Sequence, residues 1–140
     1  MIFLKNLING ALVEPESGKY LDSVNPATGA AYARIPDSDE RDVERAVSAA
    51  RTAFPGWSTM AKEKRSALLM KLSAFIERDL DKLALAETND QGKPLWLSKS
   101  VDIPRAVSNL HFYATAALHN HTAAHSMEQT AVNYTLRTPV

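Results

Sequence analysis

The stretch DSDERDVERAVSAARTAF, Asp37–Phe54, decides the architecture, because the hydrophobic period changes there from that of a strand to that of a helix. Val43, Ala46, Val47, Ala50, Ala53 and Phe54 fall on one stripe while Glu40, Arg41, Glu44 and Arg45 face away, which predicts an amphipathic helix. Asp37 with Glu40 three residues later fits an N-cap and its reciprocal partner. Pro55-Gly56 is expected to stop the helix, since proline cannot continue the hydrogen-bond ladder.

Toward the N-terminus the pattern is that of strands. Asn9-Gly10 lies between the apolar runs Phe3 to Ile8 and Ala11 to Val13, and both residues tolerate the positive φ that a two-residue hairpin turn requires. A second pair, Tyr20 to Val24 and Ala30 to Ile35, flanks Asn25-Pro26-Ala27-Thr28-Gly29, in which Pro26 presets φ and Gly29 supplies a permissive corner.

Toward the C-terminus, Leu68, Leu69, Leu72, Phe75, Ile76, Leu83 and Ala86 recur at helical steps, predicting one long helix from about Ala61 to Gln91, ended by Gly92 and Pro94. A third helix, about 97–119, carries Val101, Val107, Leu110, Ala114, Ala117 and Leu118 on one side. Pro104 predicts a kink or restart near Asp102. The tail alternates Val132, Tyr134 and Leu136 against Asn133, Thr135 and Arg137, the period of a half-solvated strand over about Thr130 to Arg137. The fold class is therefore α/β: β-hairpins, three amphipathic helices and a C-terminal strand, with an incomplete sheet.

Composition bounds the function. The 140 residues are 45% apolar and 23% charged, the range of one globular domain or part of one. Sixteen basic and sixteen acidic residues cancel, and no basic block gathers a field for nucleic acid or anionic membrane, so neither is an expected partner. No window approaches the roughly 18 apolar residues of a membrane span, and a cytoplasmic protein is expected. There is no cysteine, hence no disulfide, thiolate metal site or thiol nucleophile.

The five glycines never take the spacings by which backbone amides cradle phosphate, and Gly92-Lys93-Pro94 reads as a helix stop. His119, His121 and His125 form an H-x-H-x-x-x-H cluster whose last pair would share a helical face, as zinc-binding imidazoles do. The simpler reading, solvated histidines at a fraying helix end, is preferred. His111, Phe112 and Tyr113 read as packing residues, because an acid/base group needs a partner. Asp90 opposes the negative end of its helix dipole, so it either faces solvent or answers a cation. Arg105 reads as a solvated charge or as an anion fork.

Taken together, Val24-Asn25-Pro26-Ala27-Thr28-Gly29, VERAVSAARTAFPGW from Val43 to Trp57, ETNDQGKP from Glu87 to Pro94, and Phe112-Tyr113-Ala114 resemble the N-terminal region of the NAD(P)-dependent aldehyde dehydrogenase superfamily. Asp102-Ile103-Pro104-Arg105 is similar to the subgroup of aminomuconic and hydroxymuconic semialdehyde dehydrogenases, with betaine aldehyde dehydrogenases as near relatives. The resemblance implies oxidation of an aldehyde or semialdehyde to the acid: a cysteine thiolate forms a thiohemiacetal, hydride passes to NAD or NADP, and a glutamate activates water. An asparagine in a Pro-Trp-Asn motif helps stabilise the oxyanion.

This chain has no cysteine, and Trp57 and Trp96 are followed by Ser58 and Leu97, so it is expected to be an N-terminal fragment, inactive alone and without a bound cofactor. Thr138-Pro139-Val140 resembles the segment just before Pro-Trp-Asn. The resemblance further implies residues 1–125 as the opening of the cofactor-binding domain, with strands over about 3–35 and helices over about 38–54, 61–91 and 97–119. Residues 126–140 would start an oligomerisation arm of a homodimer or homotetramer. It places a monovalent cation at a backbone carbonyl of Ser23-Val24 and at Asp90, and Arg105 at the substrate entrance. The alternative is an independent helical module that binds a partner or a metal through His119 to His125.

Overall fold

A computed structural model describes residues 1–137, and the expectation for Thr138-Pro139-Val140 lies outside them. The strands β2 (Asn6–Ile8) and β3 (Ala11–Val13) form the expected hairpin, with Asn9 and Gly10 at φ 51° and 76°, but its first arm is shorter than the expected run from Phe3 to Ile8, because Phe3 pairs elsewhere. Strands β4 (Tyr20–Asn25) and β5 (Ala30–Pro36) pair antiparallel around the Asn25–Gly29 turn, and β1 (Ile2–Phe3) adds to β5 in parallel. The resulting mixed sheet has the order β1-β5-β4 and buries Ala33 in its central strand. Its register slips between Ser23 and Val24, a bulge that leaves local backbone groups outside the ladder.

Helix α1 (Glu40–Ser58) starts later and ends later than the sequence predicts. Its N-cap is Asp39, whose carboxylate accepts from the Arg41 N–H while the Asp42 side chain accepts from the Asp39 N–H, a closed capping box. Asp37 is held elsewhere: its N–H donates to the Lys19 carbonyl at 3.0 Å and its carbonyl accepts from the Ser17 hydroxyl at 3.0 Å. The Arg41 guanidinium holds the Asp39 carboxyl below the usual carboxylate range. Pro55 does not stop the helix. It costs only the bond to the Arg51 carbonyl on a helix open to water, and its own carbonyl accepts from both the N–H and the hydroxyl of Thr59.

The long helix is two helices, α2 (Lys62–Arg78) and α3 (Leu80–Gln91), broken at Asp79. Asp79 leaves helical geometry at φ −97° and ψ 19°, and Arg78 folds onto its carboxylate through bonds of 2.9 and 2.8 Å. At 1.5 Å per residue an unbroken helix over that span would reach about 46 Å, and the break at Asp79 divides it into two shorter helices.

Gly92 ends α3 as expected, in the left-handed region at φ 70°. A short turn α4 (Leu95–Leu97) then runs through a π-helical segment, Ser98–Asp102, into α5 (Ile103–Ala116), so the restart near Asp102 is present. Helices α2 and α5 pack along each other through small residues: Ser73 and Ala114 are fully buried, and the Ser73 hydroxyl donates to the Val107 carbonyl at 3.2 Å. The Lys62 ammonium caps the end of this pair at the Leu118 carbonyl, 2.9 Å away.

The tail is a hairpin rather than a lone strand. An additional strand that the residue pattern does not predict, β6 (Ala124–Met127), pairs antiparallel with β7 (Ala131–Tyr134), and both are exposed throughout. Leu136 stays exposed beyond the strand.

Candidate functional site

The end of α3 is where distant parts of the chain meet. A Cβ on Gly92 would lie 2.9 Å from the Pro26 Cβ and 3.1 Å from the Ala27 nitrogen, so only glycine lets the Asn25–Gly29 turn seat against the helix end. That turn is itself tied: the Asn25 side-chain oxygen accepts from the Ala27 N–H at 2.9 Å, and the Asn25 carbonyl accepts from the Gly29 N–H at 2.8 Å.

The contact brings Asp90 to the sheet. Its Oδ1 accepts from the Tyr32 hydroxyl at 2.8 Å and from the Ser23 hydroxyl at 3.4 Å, and its Oδ2 from Gln91 at 3.4 Å. Val24 follows at the bulge, 46% exposed. A carboxylate, two hydroxyls and irregular backbone give the hard oxygen character that an alkali cation prefers.

Three residues on, the Lys93 ammonium lies 2.6 Å from Glu87 Oε1 and 2.7 Å from Asp102 Oδ2, so one cation joins α3 to the last residue of the π-helical segment. The hydrogen bond to Asp102, then that to Glu87, raises the Lys93 pKa above the ordinary lysine range. Beside it the Thr88 and Ser98 hydroxyls meet at 3.1 Å, with Ser98 fully buried. No local pattern signals this role for Lys93, because both partners are ordinary helix acids until the fold brings them together.

Arg105 sits in the first turn of α5 on its exposed side, and among the described residues its guanidinium forms no ion pair or hydrogen bond. Phe112 and Tyr113 do not pack against the chain as expected: they are 63% and 66% exposed and stack edge-to-face on one another, ring centres 5.2 Å apart. The inner face of α5 is filled by Val107, Leu110 and Ala114, which leaves the aromatic side outward.

The histidines do not converge. Helix α5 ends at Ala116, so His121 and His125 share no helical face; His125 lies on β6 and all three are exposed. Among the described residues no group of three His, Cys, Asp or Glu could hold a metal ion. Clefts between α1 and the β2–β3 hairpin, lined by residues such as Leu7, Ile8, Val43 and Ala46, include neither Asp90 nor Arg105. No described helix is long and apolar enough to cross a membrane.

Residues 12–140 match the aldehyde dehydrogenase family, and the chain belongs to it. Among its curated relatives is the 2-aminomuconic semialdehyde dehydrogenase of Bos taurus, 42% identical over the whole of this chain, and the enzyme of the same name from Homo sapiens is 40% identical. A probable aldehyde dehydrogenase of Mycobacterium tuberculosis is 33% identical over 97% of the chain. The chain spans about 28% of the length of the curated relatives it matches.

Solved structures agree. The indole-3-acetaldehyde dehydrogenase of P. syringae, in complex with NAD+ and IAA, superposes with a TM-score of 0.94 at 31% identity, covering all of this chain and 29% of that one. The architecture is thus α/β and corresponds to the N-terminal part of the aldehyde dehydrogenase fold.

Proposed function

We propose that the chain supplies the opening part of a subunit of an NAD- or NADP-dependent aldehyde dehydrogenase that oxidises a semialdehyde carrying a carboxylate. The observation that carries the first step of this reading, that the chain is part of a larger folded subunit, is the surface. The chain exposes 10454 Å², where a folded monomer of its mass would expose about 7,200 Å². Phe54, Trp57, Leu72, Phe75, Trp96 and Phe112 stand among the exposed side chains. An area this large belongs to elements covered by further structure, and the family relatives, of which the chain spans about 28%, have such structure to supply.

In this reading residues 1–125 open the cofactor-binding domain and 126–140 begin the assembly arm, whose exposed β6–β7 edge pairs with another copy in a homodimer or homotetramer. Val24, through its backbone carbonyl, and Asp90 hold a monovalent cation, which would steady the contact between the bulge and the end of α3. Arg105 meets the substrate carboxylate in two-point geometry at the entrance.

The nicotinamide cofactor has no fit within this chain, whose glycines form no phosphate-cradling turn, and the thiolate nucleophile must come from outside it because there is no cysteine. The location is cytoplasmic, and neither nucleic acid nor membrane is a partner.

Titration calorimetry tests this directly. The purified chain is expected to give no complex with NAD and no aldehyde oxidation, while a full-length subunit of the family that carries this segment binds NAD and turns over. A micromolar complex of NAD with the chain alone would overturn the reading.

A further inference from the structure

We propose that Lys93 is a positioning residue for Arg105: by joining Glu87 to Asp102 it fixes the start of α5 against the end of α3, and with it the direction from which Arg105 meets a carboxylate. The proposal rests on the reading of Arg105 as the entrance cation and deepens it.

The start of α5 is held only in part by its own backbone, the Ile103 N–H donating to the Ser98 carbonyl across the π-helical turn. The π-helical segment Ser98–Asp102 departs from the α ladder, and each inserted residue rotates the downstream helix by about 100° around its axis. Pro104 then lacks the N–H that would tie the new turn back. A tether from outside the helix therefore adds to what sets the orientation of Arg105, and Asp102, three residues before it, is where the tether attaches.

Lys93 suits this task. Its side chain is 23% exposed, and its partners Glu87 and Asp102 are 35% and 29% exposed, so the pair of ion bonds is shielded compared with open surface contacts. Its own origin is fixed, because Gly92 seats against Pro26 and Ala27. The Thr88–Ser98 bond adds a neutral tether at the other end of the π-helical segment, which sets its position but not the rotation of Asp102. Two carboxylates from different helices thus share one cation whose backbone is pinned to the sheet.

The test uses the full-length subunit and steady-state kinetics with succinic semialdehyde and propanal, reading the ratio of their kcat/KM values. Lys93→Met is expected to lower this ratio about fivefold, the scale on which a residue acting through another shifts a binding energy. Lys93→Arg should recover most of the loss. The decisive variant is Lys93→Met combined with Arg105→Ala: if Lys93 acts through Arg105, it has no further effect on the ratio once Arg105 is gone. Should Lys93→Met fail to fold, Asp102→Asn removes one ion bond at constant shape and must also lower the ratio. If Arg105→Ala changes the ratio while Lys93→Met and Asp102→Asn leave it unchanged, the positioning role is overturned and the entrance reading stands. If Arg105→Ala itself leaves the ratio unchanged, the entrance reading falls and this proposal with it.

Discussion

The junction around Gly92 and the apolar stripe of α1 show how differently one short chain treats its surfaces. At the junction every feature is answered from within: Gly92 by Pro26, Asp90 by Tyr32, Lys93 by Glu87 and Asp102. On α1 the stripe Val43, Val47 and Phe54 remains 42% to 57% exposed, although it is the clearest pattern in the sequence. Its anchored part is the first turn, where the buried Asp42 carboxylate accepts from the Glu16 N–H at 3.1 Å and Arg45 pairs with Glu16. A periodic stripe therefore states that a face will be covered, not by what. The polar junction, less conspicuous in sequence, joins the sheet, α3 and the start of α5 through contacts within the chain.

The largest effect should come from the open side. The isolated chain is expected to self-associate, and Val47→Lys with Val132→Lys should weaken this at least about a hundredfold, about 2.7 kcal/mol, by placing charge on two faces that are 44% and 64% exposed. Sedimentation velocity over a concentration series reads it. A clean monomer of the unsubstituted chain at high concentration would remove the contrast between open and closed regions.

Helix α5 has one face of each kind, closed at Ala114 and open at Arg105. In the full subunit, Arg105→Ala is expected to reduce the preference for a carboxylated semialdehyde over a neutral aldehyde by roughly ten- to a hundredfold, as befits a charged hydrogen bond of about 1.5 to 3 kcal/mol. The ratio cancels general damage to folding, so an unchanged ratio would return Arg105 to the solvent.

The closed side can be probed by comparing two glycines. Gly92→Ala meets both the strained φ and the 2.9 Å approach to Pro26, whereas Gly18→Ala, at φ 65° with nothing within 4 Å, meets the strain alone. Denaturant unfolding of the full subunit should show a loss of about 2 kcal/mol for the first and about 1 kcal/mol for the second. Equal losses would mean that the Gly92 contact is not specially tight.

The smallest effect is a pH dependence. Because the folded-state pKa of Lys93 is raised, its contribution is fully present below the unfolded lysine value of about 10.4 and is lost as pH rises through the folded value above it. In a Trp57→Phe background, Trp96 emission should be steady from pH 7 to about 10 and change above that, with the high-pH change missing in Lys93→Met. A change already complete at pH 9 would count against the clamp.

Legibility follows the range of each interaction. Asn9-Gly10, the Asn25–Gly29 turn and the Gly92 stop are readable because positive φ is a property of a residue and its immediate neighbours. The cap falls on Asp39 and not on Asp37 because the two offer the same chemistry two residues apart, and bonds from Ser17 and to Lys19 reserve Asp37 for the sheet side. The break at Asp79 is hidden because Leu68 to Ala86 keeps an unbroken apolar rhythm across it. Strand β6 is hidden because Ala124 to Met127 carries no alternation and becomes a strand only by pairing with β7.

Residue identity and short spacings alone are enough for the family, the succession of N-terminal strands and later helices, and the lack of a thiol nucleophile. They are silent on the bond of Tyr32 to Asp90 from 58 positions away, on the span of Lys93 between two helices, and on the open apolar stripe of α1, while the approach of Ser23-Val24 to Asp90 is reached only through the family resemblance. Contacts at such separations carry no local signal. They are chosen by which backbone surfaces can approach closely, here through Gly92, Ser73 and Ala114, and that is a property of the packed molecule.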